Sequence, residues 1–471
     1  MPRAALAFEH WQREQAGEAE KILANMYAEA NRSNPKLEGR LVTTPGTRNR
    51  DGGTITGTIR GLAQADAFAS GYVIIIDGTT VRTWNPATAT FGTITGTVTG
   101  SDRVDIAFTQ TEMAVLSGGS LYVSNGSTIA AETDADFPAT ITSIASMAQR
   151  ILLTSSDGKF WYTDVLDVDN IDALNFYTAE ASPDNLVAVR VWAEQAYLFG
   201  SKTVEMWYAE PSNANDPFSR NSSVIPVGCL ARDTIAITSK GPVWVAPDYT
   251  VRAANGADAM VISPPWVSRV MEDVASGDLI ASTYEKDGHT FYVLSAPTFC
   301  AVCDLTDGSW HRRYSGTSGT WSWAFIVSVN GKEYAAKRAA SAFVEMSRDY
   351  PTDEQADATT MGTDIVREFT AHIPQEAGTQ VIGTVVLESS KGIGRASGDG
   401  SAPVAQMRIS NDNGNTWTSY RDGLLGGQGV YNQRTIWHRN GRGKRPQTIL
   451  QFKVSEPVQF SVEGVVYGEV S

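Results

Sequence analysis

Cys300 and Cys303 are separated by two residues, the spacing of a metal-binding or redox pair. They fall inside Phe299-Cys300-Ala301-Val302-Cys303, which reads as a β-strand, and side chains three positions apart in a strand point to opposite faces. Such a pair neither chelates one ion nor closes one disulfide easily, so buried apolar cysteines are expected; Cys229 is the third thiol. The histidines His10, His289, His311, His372 and His438 stand singly, without the H-x-x-x-H spacing of a transition-metal site. Gly392-Ile393-Gly394-Arg395 lacks the Gly-Lys-Ser/Thr ending of a phosphate-binding loop and reads as a hairpin tip. These patterns predict no catalytic residue, no metal and no cofactor.

The sharpest local motif is structural. Ser410-Asn411-Asp412-Asn413-Gly414-Asn415-Thr416-Trp417 matches the Asp-box pattern S-x-D-x-G-x-T-W. Here the Asp412 carboxylate caps turn amides, Gly414 takes positive φ and Trp417 packs beneath, with Ser410 opening the motif. Asp-boxes are familiar from sialidase propellers, so the alternative reading is a carbohydrate-binding or glycosidase-like propeller of a tail or surface protein. A sialidase-like site needs three arginines, a tyrosine nucleophile with a glutamate partner and usually several boxes. This chain has one box, outside the repeats described below, and no enzyme is expected.

Charge supplies the other candidate. The 471-residue chain carries −14, the wrong sign for a lone DNA-binding domain, yet residues 391–446 hold nine Lys or Arg against three Asp or Glu. That leaves +6 in this stretch and −20 elsewhere. Arg434, Arg439, Arg442, Lys444 and Arg445 crowd around the turn Asn440-Gly441-Arg442-Gly443. The turn reads either as solvated surface or as a contact for an acidic neighbour, such as another copy of the chain. Contact with a DNA backbone is a third reading.

The elements that must position these residues are mostly strands. Apolar residues recur at three- and four-residue steps only from Phe8 to Ala30, which predicts one N-terminal helix of about twenty residues. Beyond Asn31 the texture is Thr, Gly and Val with apolar runs of about five residues, far short of the roughly 20 of a membrane-spanning helix. The start lacks the apolar core of a secretory signal, and synthesis in a cytoplasm is expected.

A hairpin then repeats. Tyr72–Ile76, Met113–Leu116, Arg150–Leu153, Tyr197–Phe199 and Thr234–Ile237 each lead into a Gly-containing or otherwise tight turn and a second strand, with turns about 40 residues apart. A sixth copy, Phe291–Leu294, is displaced by an apparent insertion near 253–285, and Lys332–Arg338 with Phe343–Met346 forms a seventh hairpin. This period predicts an all-β fold with a β-propeller, six blades favoured and seven possible. The expected division is 1–40 as an N-terminal helical or extended arm, 41–351 as the propeller body and 352–471 as a C-terminal β-sandwich-like appendage.

Several short segments carry a family resemblance. Asn25-Met26-Tyr27-Ala28-Glu29, Thr44-Pro45-Gly46, Arg60-Gly61-Leu62, Leu198-Phe199-Gly200-Ser201-Lys202-Thr203-Val204-Glu205, Asp216-Pro217-Phe218 and Gly228-Cys229, with the C-terminal Asp-box and basic turn, are similar to elements of the packaged-DNA stabilisation proteins of short-tailed phages. The resemblance implies a tail hub or nozzle: a ring, six copies expected, fixed below the portal and its adaptor. Such a ring retains packaged DNA, passes it without sequence recognition during ejection and meets a tail fibre, tailspike or needle. It also implies a virion location, and it contests the first helix, ending it near Ala24, because the N-x-Y-x-E element is extended in that family.

Overall fold

A computed structural model describes the chain except residues 14, 16–17, 31–38, 66–67, 69–70, 180–183, 211–215, 358–359, 375–379, 444–446 and 469–471. Among the described residues the protein is all-β, with one α-helix, Pro265–Glu272. Six separate four-stranded sheets give the six-bladed propeller arrangement that the repeat favours, and one further hairpin, described below, takes a seventh place in the ring. The chain divides into two compact units interleaved in sequence: Arg50–Pro297 with Ser322–Glu345, and Met1–Asn49 with Thr298–Trp321 and Met346–Ser471. This cut differs from the linear division into 1–40, 41–351 and 352–471.

In the propeller unit, residues 59–94, 105–131, 141–178, 186–225 and 236–261 form five complete antiparallel four-stranded blades. The repeating hairpin is the pair of middle strands in each blade. Its tight turn needs positive φ, supplied by Gly118 and Gly119 at 58° and 84° between Met113–Ser117 and Ser120–Ser124. Apolar runs fail to alternate because neighbouring blades cover both faces: Ile74 and Ile76 pack with Met113 and Val115, while Val73 and Ile75 pack with Tyr334 and Phe343.

The innermost strands Ile59–Ala65, Asp105–Phe108, Ile141–Met147, Leu186–Trp192, Ala236–Thr238, Ile280–Lys286 and Trp323–Val329 pack in that order, and the last returns to the first. Ring closure thus lies within the unit. The hairpin of Ile280–Lys286 and His289–Ser295 holds a place between the fifth blade and Trp323–Val329 without being a separate four-stranded sheet. Residues 251–261 inside the apparent insertion are the outer strands of the fifth blade. The helix Pro265–Glu272 lengthens the connection that follows them.

The other unit is two sheet layers around one core. Leu41, Val385, Leu387, Val462 and Val465 from one layer meet Phe369, Ala371, Met407, Leu450 and Phe452 from the other. The N-terminal strand Arg3–Leu6 pairs with both layers, through Arg367–Pro374 and Ser461–Gly468.

The expected N-terminal helix is absent among the described residues. Leu23–Ala24 and Met26–Glu29 are strands instead, Leu23 against Phe369 and Met26 against Thr43. Sheet pairing and burial of Leu23, Met26 and Tyr27 outweigh helical propensity, and Asn25 breaks the run at φ 55°.

Candidate functional site

The family-like residues act as clasps. Asn25 is 1% exposed, and its side-chain amide donates to Tyr314 O at 2.9 Å and Val366 O at 2.7 Å. Its Oδ1 accepts from Tyr314 N at 3.1 Å, and its main chain bonds Arg312 O and Thr44 N. A short side chain with both donor and acceptor that tolerates a left-handed backbone is what this junction requires.

Arg60 does the same work in the propeller unit. Its guanidinium, buried in a residue 3% exposed, donates to the carbonyls of Asp102, Gly78, Val98 and Thr99 and to the Ser117 hydroxyl. One side chain thereby satisfies buried acceptors of the first blade, the connection after it and the second blade.

The central block is a packed turn. Asp184 accepts amide bonds from Ser201, Lys202 and Thr203 at 2.9, 2.7 and 2.9 Å. Burial pushes its pKa up, but the Ser201 hydroxyl and these amides outweigh burial and hold the carboxyl below its ordinary range. Gly228 lies against that turn: a Cβ there would come within 2.3 Å of Lys202 N.

At the Asp-box, Thr416 donates through its amide and hydroxyl to Asp412 at 2.8 and 2.6 Å, and Ser410 donates to Asp412 at 2.7 Å. The Thr416 bonds, first among the causes, hold the Asp412 carboxyl down at about 2. Gly414 has φ 92°, and Trp417 Nε1 donates to its carbonyl at 3.1 Å. Arg408 stacks over Trp417 at 4.7 Å and Tyr420 at 4.8 Å.

Three of the basic-turn residues, Arg434, Arg439 and Arg442, are exposed on the same unit; Lys444 and Arg445 lie outside the described residues. Arg439 has φ 56°, and Arg442 pairs with Val381 in a short two-stranded ladder. The turn is held by Asn440, whose side chain donates to Gly383 O and Trp437 O, and by Arg421, which donates to His438 O at 2.9 Å.

A charged network that the sequence did not single out ties several inner strands of the propeller together. Arg103, just before the second blade, donates to Asp233 at 3.0 Å ahead of the fifth blade, and to Leu279 O at 3.1 Å ahead of Ile280–Lys286. Arg232 bonds Asp233, Thr142 O and Arg103 O, while Arg190 reaches Asp105 at 2.9 Å. Burial raises the Asp105 carboxyl, but Arg190 and Arg232 with the Ser143 and Ile144 bonds outweigh it and hold it low. A cavity of about 400 Å³ continues from this network along the inner strands past Phe108, Gln110 and Gln149. Apart from the adjacent Arg232–Asp233 pair, these arginine bonds span 85 to 176 residues and carry no local sequence signal.

Cys229, Cys300 and Cys303 are buried, the latter two in the strand Cys300–Asp304. Among the described residues no group of three or more His, Cys, Asp or Glu could hold a metal. No helix among the described residues is long and apolar enough to cross a membrane.

Polar groups committed to structural clasps, on a closed ring of blades, define a β-propeller protein whose architecture fits a structural rather than a catalytic role. The family described as "Bacteriophage P22 Gp10, beta-propeller" matches residues 11–341, and the chain belongs to that family of packaged-DNA stabilisation, tail-hub proteins. It is accordingly a structural phage protein of the virion tail that assembles with other virion proteins. No curated protein matches the chain. Solved structures similar to it include BamB from Moraxella catarrhalis, at 11% identity over 73% of this chain and 98% of that one with a TM-score of 0.40. Others are the computationally designed Ika8 protein, at 13% over 62% and 96% with 0.40, and the Pan2 WD40 domain of Neurospora crassa, at 12% over 65% and 95% with 0.39.

Proposed function

We propose that the protein forms a ring, of six copies, that continues the DNA channel below the portal and its adaptor, retains the packaged genome and passes it during ejection. Family membership motivates the reading, and the observation that carries it is the segregation of charge between the two units. The propeller unit has 17 Lys and Arg against 30 Asp and Glu, whereas the other unit has 21 against 22. Six copies bring about −84 to the ring, most of it on propellers. A negative wall repels phosphates and lets a duplex slide rather than stick. The near-neutral unit, with its basic turn at Arg434, Arg439 and Arg442, suits contacts to neighbouring proteins: the adaptor, a fibre, tailspike or needle, or the next copy. Assembly belongs to the host cytoplasm, before the particle is complete.

Electron microscopy of the purified protein mixed with portal–adaptor complexes tests this. The expected result is a ring capping the complex. A chain that stays monomeric and never joins such complexes overturns the reading, as does turnover of a glycan.

A further inference from the structure

Large apolar side chains exposed to solvent concentrate in two places. In the propeller unit, one loop of the third blade, residues 163–175, presents Val165, Leu166 and Leu174, the last 80% exposed. In the other unit, Leu424, Val430 and Tyr431 lie on the segment leading to Arg434, with Tyr431 72% exposed, and half-exposed Val381 pairs with Arg442. Exposed charges lie along both segments, acidic on the first and basic on the second.

The segment around Leu174 is acidic. Residues 163–175 contain Asp164, Asp167, Asp169 and Asp172 and no Lys or Arg. The adjoining loop adds Glu132, whose carboxyl is raised by burial and, against its backbone hydrogen bonds, by the neighbouring Asp169. Asp167, Asp169 and Asp172 are exposed. The segment that follows Tyr431 is basic, with exposed Arg434 before the strand Thr435–His438 and exposed Arg439 and Arg442 after it. An apolar centre with a polar rim is the anatomy of a protein interface, and opposite rims set its register and suppress wrong pairings.

We infer that the Val165–Leu174 patch of one copy docks against the Leu424–Tyr431 patch of the next copy. Both halves are carried by one chain and are different surfaces, so the contact is head-to-tail, the type that generates a ring when its rotation closes. The inference rests on the proposed ring and deepens it by naming the two faces.

Reciprocal charge exchange on the full chain tests it, with self-association measured by sedimentation. The acidic variant is Asp167→Lys, Asp169→Lys and Asp172→Lys; the basic variant is Arg434→Glu, Arg439→Glu and Arg442→Glu. Each alone is expected to weaken self-association about tenfold or more, and an equimolar mixture of the two is expected to recover hetero-pairs in which swapped faces meet. One chain carrying both exchanges is expected to return to within about threefold of the unaltered protein. Leu174→Asp weakens association without recovery. Melting temperatures near that of the unaltered protein show that the exchanges spare the fold.

Full association in either single variant, or no recovery in the doubly exchanged chain, overturns this pairing while leaving the ring reading intact. An unaltered chain that stays monomeric even with portal–adaptor complexes overturns both.

Discussion

At the residue scale, the polar groups that matter are those buried where water cannot reach. His10 and His311 are 4% and 0% exposed, and burial, with Arg312 and Arg313 respectively, depresses each imidazole to about 3. Both are therefore neutral in the fold, while the unfolded chain takes up protons near pH 6.5. Stability from these groups is complete above that value and declines as pH falls toward 3, at a limiting slope of about 1.4 kcal/mol per pH unit for each. Urea denaturation between pH 7 and 5 should show the decline, and His311→Gln should flatten it; an unchanged slope would refute the assignment. Asn25 and Arg60 teach a related lesson. Their segments were legible as family-like motifs, but nothing in N-x-Y-x-E or R-G-L tells which carbonyls they satisfy.

At the element scale, the repeating hairpin was readable because its turns are chemically demanding. Gly118-Gly119 adopts positive φ at both positions, and only a few residue types do so cheaply. The N-terminal segment was misread for the converse reason: its apolar spacing satisfies a helix, while its pairing partners, Phe369 and Thr43, lie far along the chain. Close approach between elements is also invisible locally. Gly228 needs no special φ, yet a methyl there would meet Ser201 C and Lys202 N at 2.3 Å. Gly228→Ala is expected to destabilise the protein by about 2 kcal/mol, as overpacking does. Gly277→Ala, with nothing within 4 Å of the added carbon, should leave the denaturation midpoint unchanged. Equal effects from the two would argue against a specific contact at Gly228.

At the scale of the whole molecule, charge is partitioned by compact unit. Arg50–Pro297 holds 14 Lys and Arg against 28 Asp and Glu, and Ser322–Glu345 adds three against two, so the 13-charge deficit of the propeller unit lies in its long segment. A wall of this sign should not hold duplex DNA: filter-binding at about 0.15 M salt is expected to show no retention by the full chain. Tight, salt-sensitive binding would remove the basis for a sliding channel.

The sequence by itself determined the all-β class, the propeller period and the family, because turn chemistry and strand patterning act over a few residues. Tertiary structure alone decided that Leu23–Ala24 and Met26–Glu29 are strands, and it alone built the clasps at Asn25 and Arg60 and the Arg103–Asp233–Arg232 network. Each of those depends on partners brought together from distant parts of the chain, and free energy gained there leaves no local pattern to read.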